Sequence, residues 1–186
     1  AASLGSLKGP RHGGANIKVL EQLDYIKANV RDWSNDVELS ELLRKIIRKE
    51  ASDRSGLIYG MGHAVYTLSD PRATILKKTA FEMAKGTEFE SQFELLNSIE
   101  RLTPAIFNEE TGSEKALCAN VDMYSGLCYR MLGIPEEIAT ALFAVSRMAG
   151  WCAHRFEEKT TGQRIIRPAY KAISGQRAYV DIADRT

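Results

Sequence analysis

Residues 60–72 read GMGHAVYTLSDPR, and the rest of the chain is best understood outward from them. Gly60 and Gly62 flank Met61 and free the backbone to turn and to approach a ligand closely. His63 follows at once. Seven residues on, Asp70-Pro71 marks a helix start, with Asp70 as N-cap and Pro71 at the first helical position. Arg72 then falls in the first turn. A histidine on a glycine-rich bend and an arginine on the next helix are thereby aimed at one space. Taken alone, the stretch also fits a solvated turn before an ordinary helix. Two further stretches tip the reading, residues 9–16 (GPRHGGAN) and residues 120–126 (NVDMYSG).

The bulk composition narrows the function classes. The 186 residues suffice for one domain, or one and a half, with a proper core. Twenty-five Lys and Arg against twenty-four Asp and Glu leave a formal charge of +1. That balance lacks the one-sided excess of a nucleic-acid or membrane-surface binder, so neither partner is expected. No apolar run approaches the roughly 20 residues of a membrane span. Cys118, Cys128 and Cys152 sit in apolar, helix-like contexts and read as free thiols of a reducing compartment, the cytoplasm. The small, apolar opening Ala1-Ala2-Ser3-Leu4-Gly5 reads like the middle of a helix, as in a C-terminal fragment of something longer.

Hydrophobic periodicity makes the chain all-α. Asn16 is placed to cap a helix carrying Val19, Leu23, Ile26 and Val30. A second helix from about Asp36 puts Leu39, Leu43, Ile46 and Ile47 on one side, and Arg44, Lys45, Arg48 and Lys49 on a solvated one. Residues 52–62 form a loop with a short extended piece at 57–59. Helical pattern returns over 71–83 and over 88–101, with Phe89, Phe93 and Leu96 in register. Residues 108–115 read as an exposed hairpin between helices. A helix over 121–131 is stopped by Gly133. Pro135-Glu136-Glu137 opens another, running to about Glu157 with Ile138, Leu142, Val145, Ala149 and Cys152 as its stripe. Residues 164–185 look extended.

Few residues have the chemistry for catalysis. Of the three histidines, His12 and His63 stand beside glycines in loops, whereas His154 lies in a helix. No HxxxH or CxxC spacing supports a metal site. Asp122 begins or precedes a helix and fits an N-cap as well as a catalytic base. Arg147 falls inside an apolar helix. A buried guanidinium needs an anionic partner or costs several kcal/mol, and a bound carboxylate substrate would serve. Arg167 precedes Pro168, which favours extended backbone and outward presentation.

These blocks, with Arg147-Met-Ala-Gly-Trp151 and Arg167-Pro168, closely resemble the citrate synthase family, in order and over essentially the whole chain. Met61 and Ala119 depart from the family's pattern. The resemblance implies a small helical domain over residues 14–133. Residues 1–13 and 134–186 would then belong to the larger domain. It further implies Claisen condensation of acetyl-CoA with oxaloacetate to citrate and CoA, in a homodimer and with no permanently bound cofactor. By resemblance, His12 holds the thioester oxygen, Asp122 removes the methyl proton and His63 polarises the ketone. Arg72 and Arg147 hold oxaloacetate carboxylates, and Arg167 reaches across the dimer. Gly60, Met61, Gly62, Ala64, Val65 and Asn120 match the coenzyme A loop, with Lys115 toward its phosphates. A 2-methylcitrate synthase, the citryl-CoA lyase module of an ATP-citrate lyase, and a non-enzymatic helical interaction module remain as alternatives.

Overall fold

The computed structural model describes residues 2–7, 14–114, 116–161 and 181–184. His12, Lys115 and Arg167 lie outside these residues. So does most of the 164–185 segment read as extended. The described residues form seven α-helices and two 3-10 turns: α1 (Ala2–Leu7), α2 (Ala15–Asn29), α3 (Asp36–Ile47), α4 (Pro71–Ala84), α5 (Glu90–Thr111), α6 (Asp122–Met131) and α7 (Ala139–Thr161), with the turns at Glu136–Ile138 and Ile182–Asp184. The all-α reading holds. Among the described residues the only β pairing is an isolated antiparallel bridge between Met61 and Ala119.

The chain divides into two compact units, Ala1–Arg147 and Met148–Thr186. In the first, α3 packs on α5 while α6 packs on both α2 and α4. Its core joins Leu23 and Ile26 of α2, Leu39, Leu43 and Ile46 of α3, Leu95 and Leu96 of α5, and Met123, Tyr124 and Leu127 of α6. The second unit contains the C-terminal part of α7 and the turn Ile182–Asp184, where sequence predicts extended chain.

Sequence-predicted helices recur with four physical corrections. The N-cap of α2 is Gly14; Asn16 sits one residue inside the helix, nearly buried, its Oδ1 accepting from the Ile17 amide at 2.9 Å. Helix α5 does not stop near Arg101 but runs through Pro104 to Thr111, so residues 108–111 are helical. An interior proline costs on the order of 3 kcal/mol. Burial of Ile99, Thr103 and Ile106 along the same face offsets it. The helix ends where Gly112 adopts φ 65°, the usual left-handed terminator. The basic run of α3 is not merely solvated. Arg44 pairs with Glu109 at 2.8 Å, and Arg48 forks onto Glu110 at 2.6 and 2.7 Å, tying α3 to the end of α5.

The fourth correction concerns α7. The helix begins at Ala139, after the 3-10 turn that holds Ile138, and the predicted apolar stripe is open: Val145 is 70% and Ile138 44% exposed. Arg147 is exposed with them and not buried, its guanidinium 5.1 Å from the Phe143 ring centroid. Periodicity locates a stripe, but burial needs a neighbour, and along this helix only Ala139 and Ala144 are buried. The premise that Arg147 needs a buried anionic partner therefore does not hold here.

Candidate active site

The loop before α4 is held over residues 57–62 by Gln22 and Asn120. Gln22, almost buried on α2, donates from Nε2 to the Leu57 carbonyl and accepts from the Tyr59 amide at Oε1, both at 2.9 Å. Further on, Asn120 takes over. Its backbone amide donates to the Gly60 carbonyl at 2.9 Å, and its Nδ2 donates to the Gly62 carbonyl at 2.9 Å. The Gly62 amide returns a bond to the Cys118 carbonyl at 2.7 Å. Asn120 Oδ1 accepts from the Asp122 amide at 3.0 Å. One asparagine thus couples the His63 loop to the start of α6. The Asn120 carbonyl in turn accepts from the Met123 amide at 3.2 Å, in the first turn of α6.

Two glycines permit the geometry. Gly60 has φ 84°, and a Cβ there would lie 2.6 Å from Met123 Sδ and 2.9 Å from Met123 Cα. The close approach that sequence ascribes to a ligand is, at Gly60, an approach to α6. Gly126 lets α2 and α6 meet, since a Cβ there would stand 2.8 Å from Leu20 Cγ and 3.0 Å from the Asn16 carbonyl.

On this frame stand His63, Asp70, Arg72 and Asp122. His63 Nδ1 accepts from the Val65 amide at 2.9 Å and the Tyr66 amide at 3.0 Å, and its ring tilts against that of Tyr66 at 4.7 Å. Asp70 caps α4 by accepting from the Arg72 amide at 2.9 Å. The same carboxylate receives Arg72 Nε at 3.1 Å and Nη2 at 2.8 Å. His63 Nε2 lies 3.5 Å from Asp70 Oδ2 and 3.2 Å from Arg72 Nη2. Asp70 is only 1% exposed. Arg72's guanidinium holds its carboxyl below the usual carboxylate range, against the opposing pull of burial.

Asp122 is the first residue of α6; the N-cap position belongs to Val121, which offers no side-chain cap. Its carboxylate is therefore not consumed by capping. Burial pushes this carboxyl above its ordinary value, Arg72's positive charge draws it down, and the charge of Asp70 adds to the rise. A half-buried carboxylate with raised proton affinity, within electrostatic reach of a forked arginine, suits general-base work.

The structure therefore brings together His63, Arg72 and Asp122 with Met61, Gly60, Gly62 and Asn120. Val65 is largely exposed and Ala64 exposed beside them. It does not bring Arg147 into this group among the described contacts. Sequence reasoning missed Gln22 and gave Asp70 only a cap's role. The signal for Asp70 was present: in Asp-Pro-Arg, the cap and the arginine are two residues apart, close enough for chelation. A cleft of about 600 Å3 is lined by Met61, Asp70, Lys77, Glu100, Leu117 and Cys118. At its polar wall, Lys77 pairs with Glu100 at 2.7 Å, and the buried Tyr124 hydroxyl donates to the same carboxylate.

Comparison with known proteins settles the family. Residues 1–169 match the family model for the citrate synthase C-terminal domain. The chain belongs to the citrate synthase family. It is 37% identical over 169 residues to a citrate synthase from Corynebacterium glutamicum, covering 90% of this chain and 36% of that protein. Against one from Acidithiobacillus ferridurans it is 38% identical over 187 residues, 99% of this chain and 44% of the relative. Among solved structures it resembles the citrate synthase of Thermoplasma acidophilum in ternary complex with carboxymethyl coenzyme A and oxaloacetate. That match has a TM-score of 0.68 at 33% identity, covering 97% of this chain and 44% of the other. The chain spans less than half the length of these relatives.

Proposed function

We propose that this chain is the C-terminal part of an enzyme that condenses acetyl-CoA with oxaloacetate and hydrolyses the product to citrate and CoA. The observation that carries the reading is the Asn120 clamp, which fixes the His63 loop against the helix that begins with Asp122. The solved relative in complex with a coenzyme A analogue and oxaloacetate supports it.

The chemistry follows from the groups present. A thioester methyl is a weak carbon acid, so its base works only if the charge developing on the thioester oxygen is stabilised. Asp122 takes the methyl proton, with His12 as the donor to that oxygen. The methyl carbon forms a bond to the ketone carbon of oxaloacetate while His63 gives a proton to the ketone oxygen. Water then adds to the thioester and CoA leaves as the thiol. Arg72 is a forked donor matched to a carboxylate. Arg147, and Arg167 from the partner chain of a homodimer, complete the hold on the dicarboxylate. The loop carrying Gly60, Met61, Gly62, Ala64 and Val65 faces coenzyme A together with Asn120, which clamps it, and Lys115 lies near the phosphates. A cytoplasmic location fits the free thiols. No permanently bound cofactor enters the scheme.

Thiol release from acetyl-CoA in the presence of oxaloacetate, measured on the longer protein that contains this chain, tests the reading. Asp122→Asn should lower kcat by about 10²- to 10⁴-fold, as for loss of a general base, and leave the KM for oxaloacetate nearly unchanged. Near-normal turnover in that variant would remove Asp122 from the role. Preference for propionyl-CoA over acetyl-CoA would move the activity to 2-methylcitrate synthesis.

A further inference from the structure

We propose that Asp70 is a positioning residue, the buried hub that holds Arg72 by a two-pronged ion pair and keeps the Nε2 edge of His63 turned to the same spot. The inference rests on reading His63 and Arg72 as the groups that face substrate.

His63 Nδ1 accepts from two backbone amides, at 2.9 and 3.0 Å. A nitrogen receiving two N–H bonds carries no proton, so in the neutral ring the proton sits on Nε2. Nε2–H and Arg72 Nη2, 3.2 Å apart, are then both donors and cannot bond each other. Only an acceptor between them makes the contact favourable, and Asp70 Oδ2 is there, 2.8 Å from Nη2 and 3.5 Å from Nε2. Two donors converge on one carboxylate oxygen, and an arriving carbonyl or carboxylate oxygen of a substrate would meet the same pair.

Asp70 can act as a hub because it is itself immobile. Its Oδ1 receives both the Arg72 amide and Arg72 Nε, the carboxylate is almost fully buried, and Pro71 presets the backbone of the helix start. The guanidinium is mostly exposed, with 59% of the Arg72 side chain open to solvent. Without the ion pair, a side chain so placed would sample many rotamers, and the rotamer cost of binding would rise.

The test is nitrogen-15 NMR of the labelled 186-residue chain, which needs no substrate and so stands or falls apart from the citrate synthase reading. Asp70→Asn preserves volume and a cap acceptor for the Arg72 amide but removes the charge. In the wild-type chain we expect the neutral His63 ring to favour Nε2–H by roughly tenfold or more, and the Arg72 Nε–H resonance to be displaced from that of a free arginine. In Asp70→Asn, the Arg72 signal should collapse to the free position and the His63 Nε2–H signal should broaden, with the amide resonances of α4 unchanged. A wild-type ring protonated on Nδ1 overturns the proposal, and so do Arg72 and His63 signals that Asp70→Asn leaves in place. Should Asp70→Asn not fold, Arg72→Lys decides. With Asp70 intact, His63 Nε2–H should stay sharp, and broadening there would assign the positioning to Arg72 instead.

Discussion

Replacing Gly60 with alanine should damage fold and site together, and the structure sets the scale. At φ 84°, an L-residue costs about 1–2 kcal/mol relative to glycine. The new methyl would also lie 2.9 Å from Met123 Cα, a backbone atom that cannot swing aside, and 2.6 Å from its sulfur. Overpacking of this kind costs about 1–3 kcal/mol. Reduced freedom of the unfolded chain returns about 0.4–1 kcal/mol. The net loss is then about 1–5 kcal/mol. Gly86→Ala is the internal control, because Gly86 has φ 72° but nothing within 4 Å of its Cβ position. It should lose only about 1 kcal/mol, the backbone part alone. Urea denaturation followed by circular dichroism measures both, with equal m-values as the sign that only stability changed. A Gly60→Ala loss no greater than that of Gly86→Ala would refute the claim that contact with α6 is what demands glycine. Because Gly60 also accepts from the Asn120 amide, relief of the clash shifts the His63 loop relative to Asp122. Misplacement by about 1 Å costs on the order of a hundredfold in rate, so turnover should fall more steeply than stability.

The two site carboxylates should affect stability with opposite signs. Asp70 has a lowered folded value. Its contribution is therefore present above the ordinary aspartate value of about 3.9 and is lost as pH falls through the folded value, so Asp70→Asn should lower the thermal midpoint at pH 7. Asp122 has a raised value. Its ionisation penalises the folded state increasingly as pH rises from about 3.9 through the folded value, and Asp122→Asn should raise the midpoint at pH 7. Calorimetry at pH 7 that found both variants shifted the same way would contradict this assignment. Tyr124→Phe removes a buried hydroxyl donating to Glu100 and should cost about 1.5–3 kcal/mol in urea titrations, the range for bonds to charged groups. A neutral result would mean that Lys77 alone satisfies Glu100. The Arg48–Glu110 pair is solvent-exposed at the arginine, so Arg48→Ala should change the thermal midpoint in low salt and lose that effect near 1 M salt. A salt-independent effect would point to packing of the arginine stem.

Local signals were enough for whatever depends on neighbours in sequence. The periodicity of Leu39, Leu43, Ile46 and Ile47 located α3. Asp70-Pro71 marked the start of α4, and Gly133 ended the turn after α6. A loop histidine, a first-turn arginine and an acidic helix start are recognisable in short windows, but the resemblance of their blocks to a known family is what singled out His63, Arg72 and Asp122. Tertiary structure decided what depends on residues far apart in the chain. Helix α5 passes Pro104 because its face is buried against α3, a gain invisible to local propensity. Arg147 stands exposed because amphipathic spacing specifies a face but not its neighbour. Asn120 reads as one more motif residue until Gly60 and Gly62, some 60 positions earlier, are found bonded to it. Hydrogen bonds act over about 3 Å of space, whatever the separation along the chain. For that reason the clamp uniting His63 with Asp122 exists only in the folded molecule.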